Sequence, residues 1–230
     1  YKAELGSTLT YQGEDPSAYT ESFTQQTRVN DADLAPLIRF MKFLQESTDE
    51  EFEAQLPDYL DVDAFAAYLA VNDLLVNSDS MIGMNNNYYL YYDDTAERFT
   101  VLMWDGNESL GKLSRGSTSA EFALDFTASQ TQTAAQDAQG QQADPFAARG
   151  RGVFGGPGGG TNALLERFMA DAAFKALYED KLVEVYQAVF ASGAIDSQIQ
   201  NYADVVQLAL TSRDLVDPAA YETAVASVQD

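Results

Sequence analysis

The sequence predicts an α+β protein, mostly helical, with a small antiparallel sheet or hairpin and a helical C-terminal tail. Apolar residues recur at helical spacing over residues 33–46 and 61–76, and again after residue 162. Two short runs rich in aromatic and β-branched residues, 88–92 and 99–104, are separated by a polar turn at 93–97. These runs are the length of strands and close enough to pair, so we predict a hairpin.

The charge of the chain limits the partners it can bind. Of its 230 residues, 36 are acidic and 13 are basic, which gives a formal net charge of −23. A surface of this sign repels phosphate backbones and anionic lipids, so we expect no nucleic-acid partner. Acidity of this kind is typical of a soluble surface, and an acidic groove for cations or basic partners is the alternative.

The absence of cysteine and histidine excludes several kinds of site. Disulfides, thiolate zinc sites, cysteine nucleophiles and Ser-His-Asp triads all need one of these residues. No apolar run reaches the roughly 18–20 residues of a membrane span, so we expect none. The chain begins at Tyr1 without a signal peptide, from which we expect a mature form or an excised part of a longer protein.

Local signals predict several further boundaries. Thr48 and Glu51 have the spacing of a capping box, and the helix that they open should end near residue 55, with Pro57 separating it from the next. Asp61 should cap the following helix and Asn162 the first helix of the tail, and Pro218 should begin the last helix. Short strands are expected near residues 1–5 and 9–11.

Composition divides the chain into three parts. Residues 1–115 form the predicted core, and residues 162–230 form the helical C-terminal part of the same domain. Between them, residues 116–161 are rich in Gln, Ala and Gly, with little to bury, so a flexible low-complexity insertion is predicted.

Three oxygen-bearing residues are the candidates for chemistry. Asp79 lies in the polar segment after a long helix, and Asp105 follows the second predicted strand. Asn87, the last of three consecutive asparagines, immediately precedes the first strand. Antiparallel pairing brings Asn87 and Asp105 to one end of the hairpin. The loop that carries Asp79 leads into the first strand at the same end. Carboxylate and amide oxygens suit Mg²⁺, but Asp and Asn are also common turn residues, and both interpretations stay open.

Five stretches within residues 61–111 carry a family pattern: Asp61-Val62-Asp63-Ala64-Phe65, Tyr68-Leu69-Ala70-Val71-Asn72, Asn77-Ser78-Asp79-Ser80, Asn86-Asn87-Tyr88-Tyr89-Leu90-Tyr91, and Trp104-Asp105 followed by Ser109-Leu110-Gly111. In these stretches the sequence resembles the CotH family of atypical secreted protein kinases. The resemblance covers nearly the whole chain, with its specific motifs confined to residues 61–111. It implies a protein-kinase-like core that binds ATP with Mg²⁺ and phosphorylates Ser or Thr of a protein acceptor, in a bacterial protein that is extracellular or on the cell surface.

The resemblance also implies roles for individual residues. Asp79 would be the catalytic aspartate, and Asn86 and Asn87 would bind the cofactor. Asp105 and Asn87 would hold the metal, together with Asn107, which stands where the family has a second aspartate. The family's nucleotide-covering strands precede the segment that matches Tyr1-Lys2-Ala3, so we expect residues 1–115 to lack them.

Two alternatives use the same residues. With Asn107 in place of an aspartate, the chain could be a non-catalytic CotH-like surface or scaffold module. The same oxygens could also hold a structural Ca²⁺ in an extracellular domain. The sequence predicts no particular acceptor protein or oligomeric state.

Overall fold

The computed structural model describes residues 1–110, 162–211 and 217–229 of the chain. The chain divides into two units, Tyr1–Lys181 and Leu182–Asp230. Helices predominate and the strands form a small antiparallel sheet, so the α+β fold class is confirmed. The predicted insertion at 116–161 lies outside the described residues, and the predicted domain boundaries stay predictions.

Four short strands form the sheet in the order β2-β1-β3-β4. Their bounds are Lys2–Ala3 for β1, Phe23–Thr24 for β2, Tyr88–Asp93 for β3 and Arg98–Met103 for β4. The predicted hairpin is confirmed, because β3 and β4 pair antiparallel from Tyr88 opposite Met103 to Asp93 opposite Arg98. Side chains alternate between the two faces. Leu90 and its partner Val101 are buried, whereas Tyr91 on the other face is exposed.

Three helices precede the hairpin: α1 at Ala35–Glu46, α2 at Asp49–Tyr59 and α3 at Val62–Leu74. The predicted capping box opens α2, since Thr48 Oγ1 accepts from the Glu51 amide at 3.2 Å and Glu51 Oε2 accepts from the Thr48 amide at 2.9 Å. Asp61 caps α3 as predicted, accepting from the Ala64 amide at 3.1 Å. Both helix starts therefore follow from local hydrogen bonding.

The strand predicted at residues 9–11 is wrong. The hydroxyl of Tyr19 accepts a hydrogen bond from the Gln12 amide at 2.7 Å and donates one to the Gly13 carbonyl at 2.7 Å. A buried side chain therefore holds the backbone directly after residues 9–11, and residues 9–11 themselves form no strand. The partner of β1 on this edge is β2, a strand of two residues that the sequence did not indicate.

The predicted end of α2 near residue 55 is also wrong, since the helix continues through Pro57 to Tyr59. A proline in a helix costs free energy because it removes one backbone donor and crowds the preceding turn. Leu56 and Leu60, on either side of it, are fully buried. Burial of these two side chains offsets the cost, so packing overrides the local signal.

Two tail helices follow, α4 at Ala163–Ala170 and α5 at Ala172–Val185. The first unit ends within α5, at Lys181. The ring of Phe168 in α4 packs edge-on against Phe65 of α3, with centroids 4.9 Å apart. Phe168 also stacks on Phe174 at 4.9 Å. Helix α4 and the start of α5 therefore contribute to the same core as the first three helices.

The second unit contains the remaining helices. After α5 come a π-helix at Tyr186–Ala191, α6 at Ala194–Thr211 and α7 at Pro218–Gln229. Gly193, with a φ of 72°, interrupts the helical backbone between the π-helix and α6. The hydroxyl of Tyr221 in α7 donates to the carbonyl of Ala203 in α6 at 2.6 Å. Across the described parts of the chain, no helix has the length and apolar character needed to cross a membrane.

Candidate functional site

Asp79 lies in the loop between α3 and β3, and two asparagine side chains hold its carboxylate. Asn86 Nδ2 donates to Asp79 Oδ1 at 3.0 Å, and Asn87 Nδ2 donates to Asp79 Oδ2 at 2.9 Å. Asn87 Nδ2 also donates to the Asp79 backbone carbonyl at 3.0 Å. Because the amide nitrogen of Asn87 is used on Asp79, its Oδ1 is the atom left to accept from, or coordinate, another group.

Asn87 also connects the Asp79 loop to the end of β4. The amide of Trp104 donates to the backbone carbonyl of Asn87 at 3.0 Å, which extends the hairpin ladder by one bond beyond Tyr88 and Met103. Asp105 is the next residue along the chain and is exposed. The hairpin therefore brings Asp79, Asn87 and the backbone of Trp104-Asp105 to one end of the sheet, as the strand pairing predicted.

A series of buried hydrogen bonds connects α3 to the residues on both sides of Asp79. Asn72 Nδ2 donates to the Tyr68 carbonyl at 2.8 Å, and Asn77 Nδ2 donates to Asn72 Oδ1 at 2.9 Å. Ser80 Oγ in turn donates to the Asn77 carbonyl at 2.7 Å, and the Met81 amide donates to the Tyr68 hydroxyl at 3.2 Å. Burial raises the pKa of Tyr68, which keeps its hydroxyl neutral. The residues flanking Asp79 are thus fixed by a buried polar network, in which Asn77 Oδ1 is the one atom with no hydrogen-bond partner among the described residues.

The loop also requires a glycine at position 83. A Cβ placed on Gly83 would lie 2.0 Å from the carbonyl oxygen of Ser78. Such a contact is impossible, so the chain doubles back tightly only because residue 83 has no side chain. This close approach brings the residues before Asp79 against the residues that lead to the asparagines.

Left-handed backbone conformations are concentrated around this site. Seven non-glycine residues have a positive φ in the described part of the chain. Five of them lie in the loop or just after β4: Val76, Asn85, Asn87, Asp105 and Leu110. A β-branched residue such as Val76, with a φ of 47°, is strained in this region of conformational space. Strain of this kind clusters at functional sites, where the surrounding structure maintains it.

Asn107, the third predicted metal ligand, is in a short 3₁₀ helix at Gly106–Glu108 directly after Asp105. Its Nδ2 donates to Glu108 Oε1 at 3.0 Å, and Asn107 is exposed. Its predicted role in binding a metal stays a prediction.

The distribution of acidic side chains bears on the predicted metal site. Within residues 1–110, 162–211 and 217–229, no three Asp, Glu, His or Cys side chains come together to hold a metal. Calcium takes six to eight oxygen ligands, whereas Mg²⁺ is commonly held by one or two carboxylates and keeps several waters. One or two carboxylates with an amide oxygen are a donor set of the kind that Mg²⁺ takes, and the identity of an ion held by Asp105 and Asn87 stays a prediction.

Lys2 adds a cation to the outer face of the sheet. It lies opposite Tyr89 in the β1–β3 register, so the two side chains point to the same side. Tyr89 packs edge-on against Trp104, with centroids 5.5 Å apart, and Trp104 directly precedes Asp105. Lys2 Nζ is 3.4 Å from Glu4 Oε2, and both side chains are partly exposed. This face thus combines two aromatic rings with a basic group that is paired with Glu4.

The sequence did not single out two contacts from the tail to this region. Asn162 Nδ2 donates to Asn85 Oδ1 at 2.8 Å, with both residues buried. Tyr178 donates its hydroxyl to Asp73, a buried residue near the end of α3. The sequence indicated Asn162 only as a helix cap, and a cap gives no sign of a partner 77 residues away.

Comparison with known proteins identifies the family. The fold is a mixed α+β fold with an oxygen-rich site at one end of its hairpin. A family model described as CotH kinase protein matches residues 1–228, essentially the whole chain. The chain therefore belongs to the CotH family, a family of kinase-like spore-coat proteins, and the resemblance stated from residues 61–111 is confirmed. Among curated protein sequences, none matches the chain significantly.

Proposed function

We propose that this chain is the catalytic-side part of a protein-kinase-like domain that transfers phosphate from Mg-ATP to Ser or Thr of a protein acceptor. The observation that carries the proposal is the arrangement of Asp79, whose carboxylate is held by Asn86 and Asn87. Asn87 is also bonded through its backbone to the residue before Asp105. Phosphoryl transfer depends mainly on positioning and on charge neutralisation, and such an arrangement can supply both.

Each residue at the site would have a separate chemical role. Asp79, oriented by the two amide groups, accepts the proton of the acceptor hydroxyl. Asp105 and the Oδ1 atom of Asn87 would hold Mg²⁺, and the asparagines contribute to binding of the nucleotide. The bound ion with its nucleotide supplies the phosphoryl group and neutralises its charge. Lys2, on the same face as Tyr89 and Trp104, is a candidate for an additional contact with phosphate.

Family membership and charge support a surface location. We propose an extracellular or cell-surface setting on a bacterial cell or spore, consistent with the spore-coat character of the CotH family. The net charge of −23 favours an acceptor protein that is not itself acidic.

Transfer of radiolabelled phosphate from ATP tests the proposal, with a non-acidic acceptor protein that carries exposed Ser and Thr, or with the protein itself, as substrate. In the full-length protein, Asp79→Asn and Asp105→Asn should each lower the rate by about 10²-fold or more while the fold is retained. Asp94→Asn is the matched control, because Asp94 lies in the turn at the opposite end of the same hairpin. If Asp105→Asn transfers phosphate as fast as Asp94→Asn, the proposed role of Asp105 is wrong.

One observation favours a second candidate, a non-catalytic surface or scaffold module of the same fold. Asn107 replaces a carboxylate, and its amide group is bonded to Glu108, so a neutral group stands where the family has an acidic ligand. Calorimetry with Mg-ATP separates the two functions. Micromolar binding that is lost in Asp105→Asn supports the kinase, and the absence of binding to the full-length protein supports the module. A structural Ca²⁺ would instead raise the melting temperature with calcium alone.

A further inference from the structure

A buried contact joins the loop that carries Asp79 to the start of α4. Asn162 Nδ2 donates to Asn85 Oδ1 at 2.8 Å, although the two residues are 77 positions apart. Each residue is 1% exposed, so the bond is shielded from water. A buried amide that lost its partner would carry the full cost of desolvation, which makes this bond a strong constraint on the position of Asn85.

Asn85 occupies a critical place in the loop. Its φ of 49° turns the chain between the tight segment at Gly83 and the two asparagines that follow. Asn86 and Asn87 then direct their amide groups to Asp79. A rotation or shift at Asn85 would therefore move both groups that hold the carboxylate.

We propose that Asn162 is a positioning residue for the Asp79 site, which it acts on by holding Asn85 and thereby the turn that presents Asn86 and Asn87. The catalytic part of this inference rests on the proposed function, whereas the mechanical part does not. Asn162 has no hydrogen bond to Asp79 among those described, and its effect passes through the loop backbone.

The chemistry of asparagine explains why this residue type fits position 162. Its Oδ1 accepts from the Leu165 amide at 3.3 Å and caps α4, while its Nδ2 donates to Asn85. Serine, threonine or aspartate could provide the cap, but none of them has an amide donor beside the capping oxygen. One side chain thus fixes the start of α4 and the turn before β3 to each other.

The test separates this bond from the cap. Asn162→Ser keeps a capping oxygen and removes the donor, and Asn85→Gly keeps the left-handed backbone and removes the acceptor. In hydrogen exchange of the full-length protein, both variants should speed exchange of amides in residues 80–90 by about tenfold. The double variant should exchange no faster than Asn85→Gly alone, because Asn162 has no acceptor left to lose once the Asn85 side chain is removed. Thr48→Ala, which removes the cap of α2, is the control and should leave residues 80–90 unchanged.

Phosphoryl transfer by the same variants provides the second readout. Asn162→Ser should lower kcat about tenfold, whereas Thr48→Ala should leave it unchanged. Unchanged exchange in residues 80–90, or fully additive effects in the double variant, would overturn the proposal. Faster exchange with unchanged kcat would overturn the positioning role. If the wild-type protein transfers no phosphate, the proposed function fails, while faster exchange still supports the link from Asn162 to the loop.

Discussion

The hydroxyl of Tyr178 in α5 donates a hydrogen bond of 2.5 Å to Oδ2 of Asp73, close to the end of α3. Asp73 is 4% exposed, and its other oxygen, Oδ1, has no hydrogen-bond partner among the described residues. Burial raises the pKa of Asp73 to about 6, although the bond from Tyr178 acts in the opposite direction. A carboxylate that is only half satisfied therefore lies six residues before Asp79.

This relationship predicts a pH-dependent stability. Because the pKa of Asp73 is raised above the ordinary value of about 3.9, the folded state binds the proton more tightly than the unfolded state. Stability from this group is thus greatest below about pH 4, falls as the pH rises to about 6, and is constant above. Asp73→Asn, which stays neutral, should gain about 1 kcal/mol relative to wild type between pH 5 and pH 7.5.

Urea unfolding of both proteins at pH 5 and pH 7.5 measures this gain. Asp63→Asn on the same helix is the control, because Asp63 is exposed and its replacement should change stability equally at both pH values. Glu179 is the other charged group that bears on the pair, through its effect on Tyr178. If the free energies of unfolding of Asp73→Asn and wild type differ by the same amount at both pH values, Asp73 does not cause the pH dependence of stability.

The sequence predicted the parts of this protein that depend on neighbouring residues. The hairpin follows from two short runs and the turn between them, and the cap at Asp61 follows from hydrogen bonding within one turn of helix. The hairpin in turn fixes which end holds Asn87 and Asp105. Local signals were therefore sufficient to predict that Asn87 and Asp105 lie at the same end of the hairpin.

Other features could not be predicted because they depend on residues distant in the chain. The partners of Asn85 and Asp73 come from the tail, 77 and 105 positions later. Periodicity cannot indicate which of many tail residues will reach a given loop. Helix α2 continues past Pro57 because buried leucines on either side outweigh a local penalty, which the proline alone does not reveal.

Gly83→Ala should disrupt the Asp79 loop. The new Cβ would approach the Ser78 carbonyl to 2.0 Å, and relief of such a clash requires the backbone to move. We expect a loss of about 1–3 kcal/mol in the free energy of unfolding, with faster hydrogen exchange in residues 78–87. Gly13→Ala is the control for loop exchange, because no heavy atom lies within 4 Å of its added Cβ and the strain that its φ of 97° imposes on alanine lies outside residues 78–87. Equal exchange of the loop amides in the two variants would contradict the requirement for glycine at position 83.

Arg167 in α4 should be essential for joining that helix to the junction of α1 and α2. Its guanidinium donates to the carbonyls of Leu44 at 2.8 Å and Thr48 at 2.7 Å, and to Ser47 Oγ at 2.8 Å. It also lies 4.3 Å from the centroid of the Phe52 ring. A lysine cannot reproduce this planar set of donors, so Arg167→Lys should lower the free energy of unfolding by about 2 kcal/mol.

The matched control for Arg167 is Asp49→Asn. Asp49 Oδ1 is 3.2 Å from Arg167 Nη2, but the Asp49 side chain is fully exposed. An ion pair in water contributes little, so the midpoint of urea unfolding should not change in this variant. If Asp49→Asn destabilises the protein as much as Arg167→Lys, the charge pair rather than the backbone contacts holds α4 in place.

Asn87→Gly isolates the side chain that holds Asp79. Glycine readily adopts the φ of 52° found at position 87, so the turn is retained while both hydrogen bonds to Asp79 are lost. We expect a loss of about 1–2 kcal/mol in the free energy of unfolding. Phosphoryl transfer should fall by about 10²-fold, because the carboxylate is no longer held in one orientation.

The control for Asn87→Gly is Glu97→Gly, at the opposite end of the same hairpin. Glu97 has a φ of 54°, so the two substitutions change the backbone in the same way and differ only in the side chain removed. Titration with Mg-ATP by calorimetry and the transfer assay together give the comparison. Equal nucleotide affinity and equal transfer in the two variants would mean that Asn87 serves only to form the turn. Weaker binding and slower transfer in Asn87→Gly alone would show that its amide group acts at the site, because the backbone change is common to both.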